Sequence, residues 1–145
     1  MKKVFGILPC LLLLVSLSFA KAMPNDKILK SFETTFFGTQ DVKWYEHPDY
    51  CEVSFVQAGI RSNVRYDLQG RFLGSTRYYK EQQLPTNILF KLKNRYQNKN
   101  IIGVTEITNN DEIHYYVKME DNKNLTTIKV NGYGQMEVYE KYKKA

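Results

Sequence analysis

The sequence repeats itself, and that repetition constrains the fold before any motif does. Ile28, Leu29, Phe32, Phe36, Val42 and Trp44 recur sixty residues later as Ile88, Leu89, Leu92, Tyr96, Ile102 and Val104. Val53, Phe55, Val64, Tyr66, Asp67, Gly70, Phe72 and Tyr78 recur sixty-four later as Val117, Met119, Ile128, Val130, Asn131, Gly134, Met136 and Tyr142. A four-residue insertion in the first hairpin of the second copy accounts for the changed offset. The repeats span about 24–80 and 84–143, joined near Lys80 to Gln83.

Within each copy the pattern changes from helical to strand-like. Pro24-Asn25-Asp26 is a helix start signal, with Asn25 or Asp26 as the cap, and Gly38 supplies a permissive end. Leu84-Pro85-Thr86 opens a second helix with a stripe of Ile88, Leu89, Leu92 and Tyr96. Strands are expected at 41–46, 50–57, 60–67 and 71–79, and again at 101–108, 112–120, 124–131 and 135–142. Ala58-Gly59 is a tight hairpin, and the turns at 67–70 and 131–134 each end on a glycine where φ is expected positive. The fold class is therefore α+β: two tandem helix-plus-four-strand repeats forming one antiparallel sheet, with both helices on one face. Eleven Tyr suit such a strand-rich chain.

The first residues read as a signal peptide, 1–22, ahead of a single domain at 23–145. Lys2 and Lys3 precede an apolar run at 4–19, and cleavage is expected after Ala20 or Ala22. The run is too short for a stable membrane span, which needs about 20 apolar residues. Cleavage after Ala22 would leave 123 of the 145 residues and lower the net charge from +6 to +3. So mild an excess, on a secreted chain, argues against nucleic acid as a partner. Of the two cysteines only Cys51 remains, so no internal disulfide can form and the core must supply the stability.

Strand alternation sorts side chains between the two faces of the sheet. Val53, Phe55, Val64, Tyr66, Phe72 and Tyr78 of the first copy, with Val104, Tyr115, Val117, Met119, Ile128, Val130 and Val138 of the second, are expected beneath the helices. Trp44 belongs with them and is expected to be substantially buried. The opposite face is expected to carry Tyr45, Arg61, Arg65, Arg71, Arg77, Tyr79, Tyr116 and Tyr139. An antiparallel sheet can leave one face wet.

The runs Val42-Lys43-Trp44, Val64-Arg65-Tyr66-Asp67-Leu68-Gln69-Gly70, Leu84-Pro85 and Tyr115-Tyr116-Val117 resemble the PepSY-like, beta-lactamase-inhibitor-like periplasmic proteins of Gram-negative bacteria. The resemblance covers nearly all of residues 23–145. It implies a periplasmic or secreted domain of two repeats, and binding or inhibition of another protein. It transfers no inhibitory residue to this chain.

The residues themselves offer little for catalysis. Cys51 and His47 bracket a hairpin, but Cys51 is in phase with Val53 and Phe55, which marks a packed core thiol. His47 and His114, the only two histidines, have no metal-ligand spacing. Asp67 to Gly70 lacks the oxygen ligands of a calcium loop and reads as an Asx turn. No catalytic, metal or cofactor residue is assigned. Tyr and Arg dominate interface hot spots, so the expected function is a non-enzymatic module that binds an envelope or secreted protein, inhibitor-like, through the eight Tyr and Arg residues of the open face. The alternative is a small apolar-ligand carrier, with a pocket between helices and sheet near Phe37, Phe90 or Tyr96.

Overall fold

The structure of the protein, a computed structural model, describes residues 24–144. The expected signal peptide, 1–22, lies outside them. Helix α1 (Asp26–Thr35) is followed by strands β1 (Gln40–Glu46), β2 (Tyr50–Gln57), β3 (Ile60–Asp67) and β4 (Phe72–Tyr79). A short 3-10 turn (Glu81–Gln83) leads into α2 (Thr86–Arg95) and then β5 (Asn100–Asn109), β6 (Glu112–Glu120), β7 (Asn124–Asn131) and β8 (Met136–Lys143). The eight strands form one sheet in chain order, each antiparallel to the next.

The helices form where capping and an apolar stripe coincide. The Asn25 side chain accepts from the Lys27 and Ile28 amides and so caps α1. Ile28 and Phe32 are buried, together with Cys51, Val53, Phe55, Val64 and Tyr66 of β2 and β3. Pro85 precedes α2 with no side-chain cap. Ile88 and Leu92 are buried with Val104, Val117, Met119, Ile128 and Val130 of β5 to β7. The Asx turns after β3 and β7 place Gly70 at φ 82° and Gly134 at φ 79°, the left-handed region that a Cβ disfavours.

The register carries one row of residues along one side of the sheet, Val53 beside Val64, Val64 beside Ser75, and further on Tyr79 beside Val104, Val104 beside Val117 and Val117 beside Ile128. Ser75 and Tyr79 lie four apart on β4, hence on the same side.

Strand β4 corrects the expected sorting of faces. Arg65 pairs with Gly74 but Tyr66 with Phe72, so Leu73 is an extra residue in a β-bulge. One extra residue reverses every later side chain. Tyr78, expected in the core, is 45% exposed, while Tyr79, expected on the open face, is 8% exposed and packs with Leu84 and Ile88. Arg77 is likewise turned to the same side as Tyr79, opposite Glu106. Phe72 keeps the core phase but sits at the strand end, 48% exposed. Val138 pairs with Ile128, yet β8 is an edge strand and leaves Val138 exposed too. Trp44, on the other edge strand, is half-buried, its ring edge against Phe32 at 5.2 Å.

Candidate protein-binding face

The side of the sheet away from the buried clusters is built by the alternate residues of each strand. Tyr45 lies opposite Glu52, Arg65 opposite Glu52 and Gly74, Arg61 opposite Tyr78, and Tyr116 opposite Thr105 and Lys129. Five of the eight sequence candidates are brought together here. Tyr45, Arg61 and Tyr139 are exposed, and Arg65 and Tyr116 half-exposed. The Arg65 guanidinium donates to Asn109 Oδ1 at 2.8 Å. Tyr139 is the extra residue of a second bulge, in β8, and meets Tyr116 edge-on at 5.1 Å between ring centres. These side chains are thus partly pre-positioned.

The other three candidates are engaged elsewhere. Arg71 belongs to the turn after β3: its amide donates to Asp67 Oδ1 at 2.8 Å and its Nε to Asp67 Oδ2 at 2.6 Å. Arg77 and Tyr79 form a polar seam on the side of the buried clusters, where β4 meets β5. The Arg77 guanidinium donates to Glu106 Oε1 at 3.1 Å, and the Tyr79 hydroxyl to Glu106 Oε2 at 2.6 Å. Burial, then the hydrogen bond to the Glu106 carboxylate, raises the Tyr79 phenol far above its ordinary value. Burial also raises the neighbouring Tyr115, and lifts Tyr66 to about 12.

Tyr78 joins the open face and was missed by strict alternation. A signal for it exists in the sequence: a glycine inside a strand run, here Gly74, often marks a bulge or a close approach. A Cβ on Gly74 would meet Thr108 O at 2.6 Å. A second interior glycine, Gly103, adjoins the bulge in β5, where Ile101 pairs with Met119 and Gly103 with Lys118. Around it lies a surface trough of about 430 Å³ whose lining includes Tyr78, Lys80, Thr105, Tyr116 and Lys118.

The residues weighed for chemistry do not converge. Cys51 is buried, and burial followed by the Glu46 charge raises its thiol pKa, the opposite of an activated nucleophile. His47 stacks on Tyr50 at 4.2 Å between ring centres. Among the described residues no group of three or more His, Cys, Asp or Glu is placed to hold a metal ion. No helix among them is long and apolar enough to cross a membrane.

No protein-family model and no curated protein matches the chain. Solved structures do. A BLIP-like protein from Bacteroides fragilis NCTC 9343 is similar with a TM-score of 0.62 at 16% identity, over 85% of this chain and 86% of that one. A DUF2874 family protein from Bacteroides ovatus ATCC 8483 gives 0.61 at 13% identity, over 84% and 89%. A protein of provisional periplasmic assignment from Bacteroides eggerthii DSM 20697 gives 0.60 at 11%, over 84% and 90%. At these identities the shared property is the fold, and it is the fold of the BLIP-like, periplasmic kind of protein that the sequence motifs resemble.

Proposed function

We propose that this chain is a non-enzymatic binding module of the periplasm or of the secreted space, and that it grips another protein with the open face of its sheet. The observation that carries the reading is the composition of that face. Tyr45, Tyr78, Tyr116 and Tyr139 stand beside Arg61 and Arg65, with neither helix packed over them. These are the residue types that dominate interface hot spots. In this reading the two helix-plus-four-strand units are tandem copies with both helices on the far side, which leaves the whole open face to a partner. The leader-like residues 1–22 and the periplasmic assignment of the Bacteroides eggerthii neighbour support the address. The BLIP-like neighbour makes a hydrolase the first partner class to try.

The carrier alternative has less behind it. Phe37 is 74% and Phe90 66% exposed, so neither ring lines an enclosed space. The hollow beside Phe90, about 470 Å³, lies between the outer side of α2 and the turn at Gly134 and is open.

The test is affinity capture from an envelope extract, comparing the protein with an Arg61→Ala, Arg65→Ala, Tyr116→Ala variant. Partners should be lost while the melting curve stays close to wild type, because surface changes usually shift stability by about 0.5 kcal/mol or less each. Equal capture by both proteins would rule the face out as the binding surface.

A further inference from the structure

The fold requires Gly74 but does not require Gly103. Its φ is outside the left-handed region, and a Cβ built on it meets nothing within 4 Å. A glycine inside a strand weakens it relative to alanine. Here no turn and no close backbone approach offsets that. In the first half the position sixty residues earlier is Lys43, which sits opposite Ser54 on the edge strand β1. The second half, in the middle of the sheet, has no side chain there.

The missing side chain shapes the surface. Tyr78, Thr105 and Tyr116 lie side by side on β4, β5 and β6, and Gly103 is two residues before Thr105 on the same side. Gly103 is therefore the low point of the 430 Å³ trough, with Tyr78 and Tyr116 as walls. The charged side chains that line it have one sign. Lys80 and Lys118 line it, Arg61 lies opposite Tyr78, and no Asp or Glu is part of the lining. Lys118 and Arg61 make no ion pair among the described residues, while the Lys80 ammonium reaches only the Ile102 carbonyl, at 3.2 Å.

We infer that the Gly103 trough receives an acidic side chain, Asp or Glu, presented on a projecting loop of the protein partner. The inference rests on the open-face reading above and names the chemistry of its contact. The two tyrosine rings pack the aliphatic stem, and the ammonium groups of Lys118 and Lys80 take the carboxylate. Two cations with no opposing anion favour an acidic group over a neutral one, and reject a basic one. A side chain at position 103 would occupy the space that the stem needs.

The experiment selects binders to the mature domain from a displayed library of disulfide-constrained loop peptides. The enriched peptides should carry an Asp or Glu whose change to Asn or Gln weakens binding. Their affinity for a Gly103→Leu variant should fall by more than about 10-fold, as for loss of a hot spot, with the melting curve unchanged. Lys118→Glu, which alters an exposed side chain and leaves the floor clear, should weaken the same peptides. It decides the matter if Gly103→Leu melts early. Peptides with no acidic requirement, or bound equally by the Gly103→Leu and Lys118→Glu variants, overturn the trough. If those peptides still lose affinity on Tyr45→Ala or Arg65→Ala, the open-face reading survives and only the trough falls. Binders indifferent to all four variants remove both, and a selection that enriches nothing counts against the trough.

Discussion

Under α1 the core centres on a knot of aromatic rings, whereas under α2 it centres on aliphatic side chains and Met119. Phe32 stands at the centre of the first cluster, with ring centres of Phe36, Trp44 and Phe55 at 5.5, 5.2 and 5.2 Å. The corresponding space in the second half is filled by Leu92 against Val104, Val117, Met119 and Ile128. The helices also begin differently. Asn25 caps α1 and holds it to the following turn through Leu68 O at 3.0 Å, and Ser31 adds a hydroxyl bond to Gly70 O at 2.8 Å. Helix α2 starts after Pro85 without such a cap and is tied to its turn by one lysine, Lys91 to Tyr133 O at 3.2 Å. One strand pattern thus accepts two packing materials, because a sheet face asks for apolar volume at fixed positions more than for particular shapes.

The strongest way to break this comparison is to remove the centre of each cluster. Phe32→Ala should cost about 3–5 kcal/mol and Leu92→Ala about 2–5 kcal/mol, from lost transfer energy plus the cavity left behind. Since one sheet joins the halves, urea unfolding followed by circular dichroism should remain a single transition in both variants. A first transition confined to the mutated half would show that each helix-and-strand unit is its own cooperative body.

The polar seam between the clusters gives the next largest effect. Glu106→Ala should cost about 1–3 kcal/mol, because it leaves the buried Tyr79 hydroxyl and the half-buried Arg77 without their acceptor. The seam also predicts an alkaline limit. Tyr79 and Tyr66 have phenol pKa values raised in the folded state, chiefly by burial. A raised value contributes stability that is full below the unfolded phenol value near 10 and is lost as pH rises toward the folded one. Ultraviolet titration should show a late group of phenols ionising together with unfolding. All eleven tyrosines titrating smoothly before unfolding would contradict the buried seam.

Strand positions were legible in the sequence because alternation and turn chemistry agree there. The ranges 50–57, 60–67, 112–120 and 124–131 coincide with β2, β3, β6 and β7. In β4 the faces were legible only as far as the bulge, whereas the bulges at the starts of β1 and β5 leave Trp44, Tyr45 and Val104 on the sides expected. The pleat has a period of two, so Leu73 alone exchanged Tyr78 with Tyr79 and took Arg77 off the open face. Edges were also illegible: Val138 has the correct phase for the core, but only the order of strands shows that β8 has one neighbour. Five of the candidate residues, those on β1, β3, β6 and β8, could be placed from the pattern. Gly103 could not, since its meaning depends on what does not touch it.

A smaller test bears on the helix starts. Asn25→Ala should lower stability by about 1 kcal/mol, the usual value of an N-cap. Pro85→Ala removes no side-chain hydrogen bond and should change less. Equal thermal shifts would mean that the cap is not what distinguishes the two helices.

The smallest effect concerns the two Asx turns, in which Asp67 and Asn131 do the same work with different charge. Asp67 Oδ1 accepts from the Gln69 and Arg71 amides, just as Asn131 Oδ1 accepts from those of Tyr133 and Gln135. Only Asp67 has a second oxygen, and it takes the Arg71 Nε, on a side chain that is 78% exposed. Solvent weakens a pair of that kind. At neutral pH Asp67→Asn should therefore shift the melting temperature less than Asn25→Ala does. The pH dependence is more telling. The Arg71 amide, with further hydrogen bonds from the Arg71 side chain and the Gln69 amide, holds the Asp67 carboxyl below its ordinary 3.8. A lowered carboxyl pKa contributes stability that is present above the unfolded value and lost as pH falls through the folded one. Melting wild type and Asp67→Asn at neutral pH and again below about pH 3 should show the small difference shrinking with acid. A difference that stays constant would mean that the charge contributes nothing, and that Asp67 serves the turn as Asn131 does, through one oxygen.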